Sequence, residues 1–149
     1  MQSRTSGGAP AILGLAAAIL VAGHAASQDG PVRAIPLDSE RTVDGVDVGC
    51  TGIGQSKNDP RWNAYSVRVE FSNPAREYLA NGAVEVFDPS GHSLTAVRCE
   101  GPWVLLRLPP GAYKVKGWLV GQAAEPRESS FHPPAKGQMR LILTFPDGH

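Results

Sequence analysis

Cys50 and Cys99 are the residues whose chemistry is most constrained by type and setting. A reactive thiol pair needs a low-pKa thiolate, which C-x-x-C spacing favours, and neither cysteine has such a neighbour. In an exported chain they are expected to pair instead. Closing the loop between them would stabilise the fold by about 4 kcal/mol in the chain-entropy model. The histidines offer less: His92 follows the Asp88-Pro89-Ser90-Gly91 turn, His132 precedes two prolines and His149 ends the chain, so no two stand at metal-ligand spacing. Gly52-Ile53-Gly54 has neither the preceding buried strand nor the following helix of a phosphate loop and reads as a turn. Asp44, Asp47 and Asp59 carry oxygen donors without calcium-loop spacing and read as solvated loop acids. No catalytic, cofactor or metal residue is assigned on this basis.

A binding surface is better supported. If Val104, Leu106 and Leu108 point inward, Trp103, Leu105 and Arg107 point outward; with Tyr113 and Val115 inward, Lys114, Lys116 and Trp118 point outward. Trp103, Arg107, Lys116 and Trp118 are thus candidates for a partner-binding surface, since an exposed indole beside a cation suits a protein partner or a sugar ring. The competing reading has the N-terminal arm, held by the cysteine pair, covering one of the indoles.

Several features bear on where the protein works. Arg4, then an uncharged apolar run from Ala11 to Gly23, then small residues read as a secretory signal peptide over 1–25. Cleavage after Ala25 or after Ser27 satisfies the small-residue requirement equally. The apolar run is shorter than the roughly 20 residues of a spanning helix, which argues against an uncleaved anchor. The remaining chain of about 120 residues is one domain's worth. Fourteen basic and fourteen acidic residues, interleaved by sign, give a net charge of zero, which disfavours nucleic acid as a partner. The expected location is the periplasm or the exterior, with no membrane span after cleavage.

Residues 26–61 are rich in Gly, Asp and Pro and read as an irregular N-terminal arm with a short strand near Val32–Leu37. From Trp62 the pattern changes: Tyr65, Val67, Val69 and Phe71 alternate with Ser66, Arg68 and Glu70, the period of a half-buried strand. Asn73-Pro74 ends it, and 75–80 suits one helical turn. Strands follow at Gly82–Phe87, Ser93–Cys99, Trp103–Leu108, Tyr113–Leu119, Glu128–His132 and Met139–Phe145, with turns at Asp88–Gly91, Val120–Ala123 and Pro133–Gly137. About seven short strands at regular spacing, without a long helix, predict an all-β Greek-key sandwich of prealbumin or immunoglobulin-like type over 62–149.

Leu108-Pro109-Pro110-Gly111-Ala112-Tyr113 is read as the corner of that sandwich. Pro110 and Gly111 suit the central positions of a type II turn, and Tyr113 can bury its ring while bonding its hydroxyl back to backbone. These pieces, with Gly82–Val86 before them and the strand from Arg140 to Phe145 after, resemble the carboxypeptidase regulatory-like, or transthyretin-like, β-sandwich domains. The resemblance covers about half of the chain, from Leu79 to Phe145. Gly101-Pro102-Trp103 leading into the corner resembles small exported proteins of Gram-negative bacteria that carry such a domain. The resemblance implies the fold first, and function only weakly, as accessory, adhesive, carrier and occasionally catalytic use. The hydrolases among transthyretin's relatives end in Tyr-Arg-Gly-Ser, whereas this chain ends Phe145-Pro146-Asp147-Gly148-His149. The expectation is a non-enzymatic binding or accessory module without cofactor at the cell envelope, with a protein or glycan partner. A small periplasmic hydrolase on the same fold is the alternative, and a module that presents its sheet edges to copies of itself is a third reading.

Overall fold

Asp44-Gly45 turns the chain on itself with both residues at positive φ, 51° and 83°, the geometry of a two-residue hairpin loop that matches strand twist. The turn joins β2 (Ser39–Val43) to β3 (Val46–Thr51), with Val43 opposite Val46. In this computed structural model, which describes residues 7–8 and 31–146, the hairpin belongs to an all-β fold of ten strands. The others are β1 (Arg33–Ile35), β4 (Val67–Ser72), β5 (Gly82–Phe87), β6 (Ser93–Cys99), β7 (Trp103–Arg107), β8 (Tyr113–Leu119), β9 (Arg127–Phe131) and β10 (Met139–Thr144). Two short 3-10 segments, Gln55–Asn58 and Pro60–Ala64, lie between β3 and β4. The expected leader, apart from Gly7 and Gly8, both cleavage points and His149 lie outside the described residues. Among the described residues no helix is long and apolar enough to cross a membrane.

Two five-stranded sheets result: sheet I in the order β1-β6-β5-β8-β9, and sheet II in the order β10-β4-β7-β3-β2. Most neighbours are antiparallel, but β1 runs parallel to β6 and β10 parallel to β4. Val84, Val86, Val97 and Val115 from sheet I meet Val48, Val69, Val104 and Leu106 from sheet II in one buried core. Each such side chain contributes roughly 1.5–3 kcal/mol when fully buried. The period-2 alternation that defines the strands therefore also defines the inner faces. Cys50 on β3 and Cys99 on β6 form a disulfide that ties sheet II to sheet I.

Several expectations need correction. The strands expected from residue 65 onward are present, as is the short one expected near Val32–Leu37, but residues 39–51 hold two more, so the 33–51 stretch is not an irregular arm. Its strands complete both sheets, β1 on β6 and β3 on β7. No helical turn forms over 75–80; a turn at 74–75 is followed by an isolated bridge between Ser72 and Tyr78. Asn73 prevents the helix by closing the loop on itself, its Oδ1 accepting from Glu77 N at 2.8 Å and its N donating to Glu77 O at 2.9 Å.

The corner at Leu108-Pro109-Pro110-Gly111 carries the chain from β7 in sheet II to β8 in sheet I. Gly111 is not among the glycines at positive φ, so the type II turn is not formed. The corner is held instead by Tyr113, whose hydroxyl donates to Pro109 O at 2.9 Å while its ring stacks on Phe131 at 5.7 Å. Ser66 Oγ, accepting from Leu108 N at 3.0 Å, pins the other end. Tyr113→Phe should lower stability by about 1 kcal/mol or slightly less, because solvent reaches this hydrogen bond. Urea denaturation would register a lower midpoint at unchanged slope; an unchanged midpoint would show that ring packing alone holds the corner.

Candidate functional site

Trp103, Arg107, Lys116 and Trp118 do not come together. Trp103 and Arg107 are on β7 in sheet II, Lys116 and Trp118 on β8 in sheet I, and their outward sides face away from each other. Of the two readings open for the indoles, Trp103 follows the covered one: the residue is only 7% accessible. Arg68 lies 4.1 Å over its ring, Tyr78 meets it edge-on at 5.9 Å, and Gly52 of the N-terminal segment passes so close that a Cβ there would be 2.9 Å from Trp103 Cγ. Trp118 is half-buried, opposite Ala83, and Lys116 is half-buried, opposite Glu85. Arg107 is exposed, 3.1 Å from Asp47 Oδ2 and 5.0 Å over the Tyr65 ring.

The outer face of sheet II is covered in two different ways. Towards β3, the 3-10 segments lay Trp62 and Tyr65 on Leu105 as a small second core. Gly49 makes this possible, since a Cβ there would come within 2.8 Å of the Trp62 ring. The Trp62 indole donates to Ser56 O at 2.8 Å, and the Tyr65 hydroxyl donates to Glu40 Oε1 at 2.5 Å. Burial first, and then that carboxylate, push the Tyr65 hydroxyl's pKa up. Towards β10 the face is covered by polar side chains around an open cleft.

Glu70 forms the floor of that cleft. The alternation of β4 sends it outward, yet its accessibility is 0%. Its carboxylate accepts from the Tyr78 hydroxyl at 2.8 Å and from Arg140 Nε at 2.5 Å, with Arg68 Nε at 3.7 Å. Burial alone would raise its pKa; the hydrogen bonds from Arg140 and Tyr78 and the charge of Arg68 more than offset it, so the carboxyl titrates below the usual range. Burial and the same carboxylate raise the Tyr78 pKa. At neutral pH Glu70 is therefore a carboxylate and Tyr78 a phenol that donates to it. A general acid needs a proton to give near the working pH, and Glu70 holds none there.

The cleft, of about 540 Å³, lies between the 73–78 loop and β10. Arg140 borders it with its side chain 53% accessible, and Ile142, two residues along the same face of β10, is 52% exposed. Arg76 stands at the rim, exposed and with φ of 67°, a conformation that costs a non-glycine residue about 1 kcal/mol or more. The enclosed Trp103 indole nitrogen lies under this group, beside Tyr78.

Residue type and spacing do not single out Arg140, Arg76 or Tyr78 as site candidates, and they mark Glu70 only as a polar position of a strand. Other candidates remain dispersed. His92 is on the surface, 3.5 Å from Asp88 Oδ2, and the Asp88 carboxyl is held below its usual range chiefly by the backbone N–H of His92. Among the described residues no three His, Cys, Asp or Glu side chains are grouped to hold a metal ion. A second cleft, of about 510 Å³, runs under the Asp88–Gly91 turn between Tyr113, Lys114, Glu128 and His132, but these groups are not joined to one another by hydrogen bonds. No protein-family model matches the chain, and no curated protein matches it.

Proposed function

We propose that this protein is an exported, non-catalytic binding module, a β-sandwich of the carboxypeptidase regulatory-like kind, that engages a component of the cell envelope through the cleft between the 73–78 loop and β10. The observation that carries this reading is the buried, ionised Glu70, which fixes Tyr78 and Arg140 at the cleft while leaving the arginine half in solvent. Such an arrangement presents donors in set positions without a group poised to exchange protons, which suits recognition better than turnover. Export is supported by the sequence of the leader and by the disulfide, which persists in oxidising compartments. The tyrosine corner and the two-sheet architecture support the resemblance to regulatory-like domains.

The test is amide chemical-shift mapping of the labelled protein against saccharide and peptide fractions of the envelope. The expected result is a contiguous set of perturbed resonances over 68–78 and 139–144. Perturbations confined to β8, or to the cleft under the Asp88–Gly91 turn, would overturn the placement of the site.

A further inference from the structure

We infer that the cleft takes an acidic sugar, a uronic acid residue whose carboxylate sits between Arg76 and Arg140; this rests on the binding reading above and names its ligand class. Charge comes first. Arg68 and Arg140 flank a single buried carboxylate, Glu70, and Arg76 lines the same cleft, so the group keeps a surplus of positive charge after its internal pairing. Glu77 is exposed next to Arg76, but it does not line the cleft. Guanidinium groups bind carboxylates through charge-assisted, geometrically matched hydrogen bonds.

The rest of the lining favours a sugar over a bare anion. Ser72 and Thr144 bring hydroxyls to one side of the cleft, able to donate to and accept from ring hydroxyls. Tyr78, 45% exposed, and Ile142 supply apolar surface of the kind that packs on the C–H face of a pyranose. Phosphate or sulfate would use the arginines and leave these surfaces idle; a neutral sugar would use the surfaces and leave the arginines idle. Arg76 is the telling residue, since an exposed arginine held at φ of 67° makes no ion pair among the described residues and is placed where a ligand carboxylate would meet it.

The test titrates labelled protein with sodium glucuronate, and in parallel with glucose, acetate and inorganic phosphate, following amides over 72–78 and 140–144 and the Trp103 indole N–H. Glucuronate should perturb these resonances and bind at least about tenfold more tightly than glucose, acetate or phosphate, because only it satisfies cations and ring surfaces together. Arg76→Gly should weaken glucuronate by about tenfold or more. Glycine accepts this φ, so the variant should melt no lower than the parent, which separates lost binding from lost folding. Trp118→Ala, on the other sheet, should bind glucuronate as the parent does. Equal affinity for glucose, acetate or phosphate, or full affinity in Arg76→Gly, would overturn the uronate assignment. If none of the four probes perturbs the cleft the assignment also fails, while the envelope-fraction mapping still decides whether the cleft binds anything else.

Discussion

Replacing the disulfide in Cys50→Ala/Cys99→Ala should cost about 4 kcal/mol, the largest loss expected of any substitution considered. The bridge closes a loop with a sequence separation of 49, and releasing it returns that loop's entropy to the unfolded chain. It also removes the disulfide tie between the sheets: Cys50 is the fourth of five β3 positions in register with β7 in sheet II, and Cys99 pairs with both Ile35 and Gly82 in sheet I. Small domains have only about 5–15 kcal/mol in hand, so the variant should be marginal at physiological temperature. Equilibrium urea denaturation checks this, with a lower midpoint and a steeper slope because the uncrosslinked unfolded state exposes more surface. A loss below about 1 kcal/mol would mean that the unfolded chain is already compact around the bridge, and that core packing alone holds the sheets together.

Glu70→Gln should be the most damaging single polar substitution, at about 2 kcal/mol. Breaking a wholly buried ion pair costs about 3–5 kcal/mol, but Arg140 is 53% accessible and solvent moderates the loss. The amide keeps the shape and part of the hydrogen bonding while leaving Arg68 and Arg140 without their counter-charge. The pH dependence identifies the cause. The Glu70 carboxyl is held below its usual value in the folded protein, so its contribution is complete above the unfolded pKa of about 4.3 and is lost as pH falls through the lower folded value. The stability gap between parent and Glu70→Gln should stay constant from neutral pH to about pH 5 and close at more acidic pH. A gap that stays undiminished as far into acid as the parent remains folded would show that shape rather than charge is at stake.

Much of this fold can be read from alternation, and the exceptions are instructive. Val67, Val69 and Phe71 announce β4 because one face is apolar and the other polar, and β5 to β10 follow from the same rule and the turns between them. Asp44-Gly45 between Thr42-Val43 and Val46-Asp47-Val48 is a strong two-residue hairpin signal, and the glycine and aspartate content of the surrounding stretch masks it in a reading by composition. The corner itself rules out a shared Trp103–Trp118 surface. A chain that crosses from one sheet to the other at Pro109-Pro110 must send the outward residues of its two strands to opposite sides.

The cleft was harder to read for a physical reason. Period-2 alternation says that Glu70 faces away from the core, but it does not say what lies over that face. Tyr78 arrives from a loop closed by Asn73, and Arg140 from a strand that pairs in parallel with β4 only after the chain has built both sheets. Contacts between residues 70 apart in sequence carry no local signature.

The measurement that decides most directly whether this cleft is where the protein works is photo-cross-linking in cells that export it, with a diazirine amino acid at position 142 on the cleft rim or at position 118 on the opposite sheet. A discrete adduct from position 142, absent from position 118 and competed by glucuronate, is the predicted result. Adducts from position 118 alone, or none from position 142, would contradict a binding site on the Glu70 face.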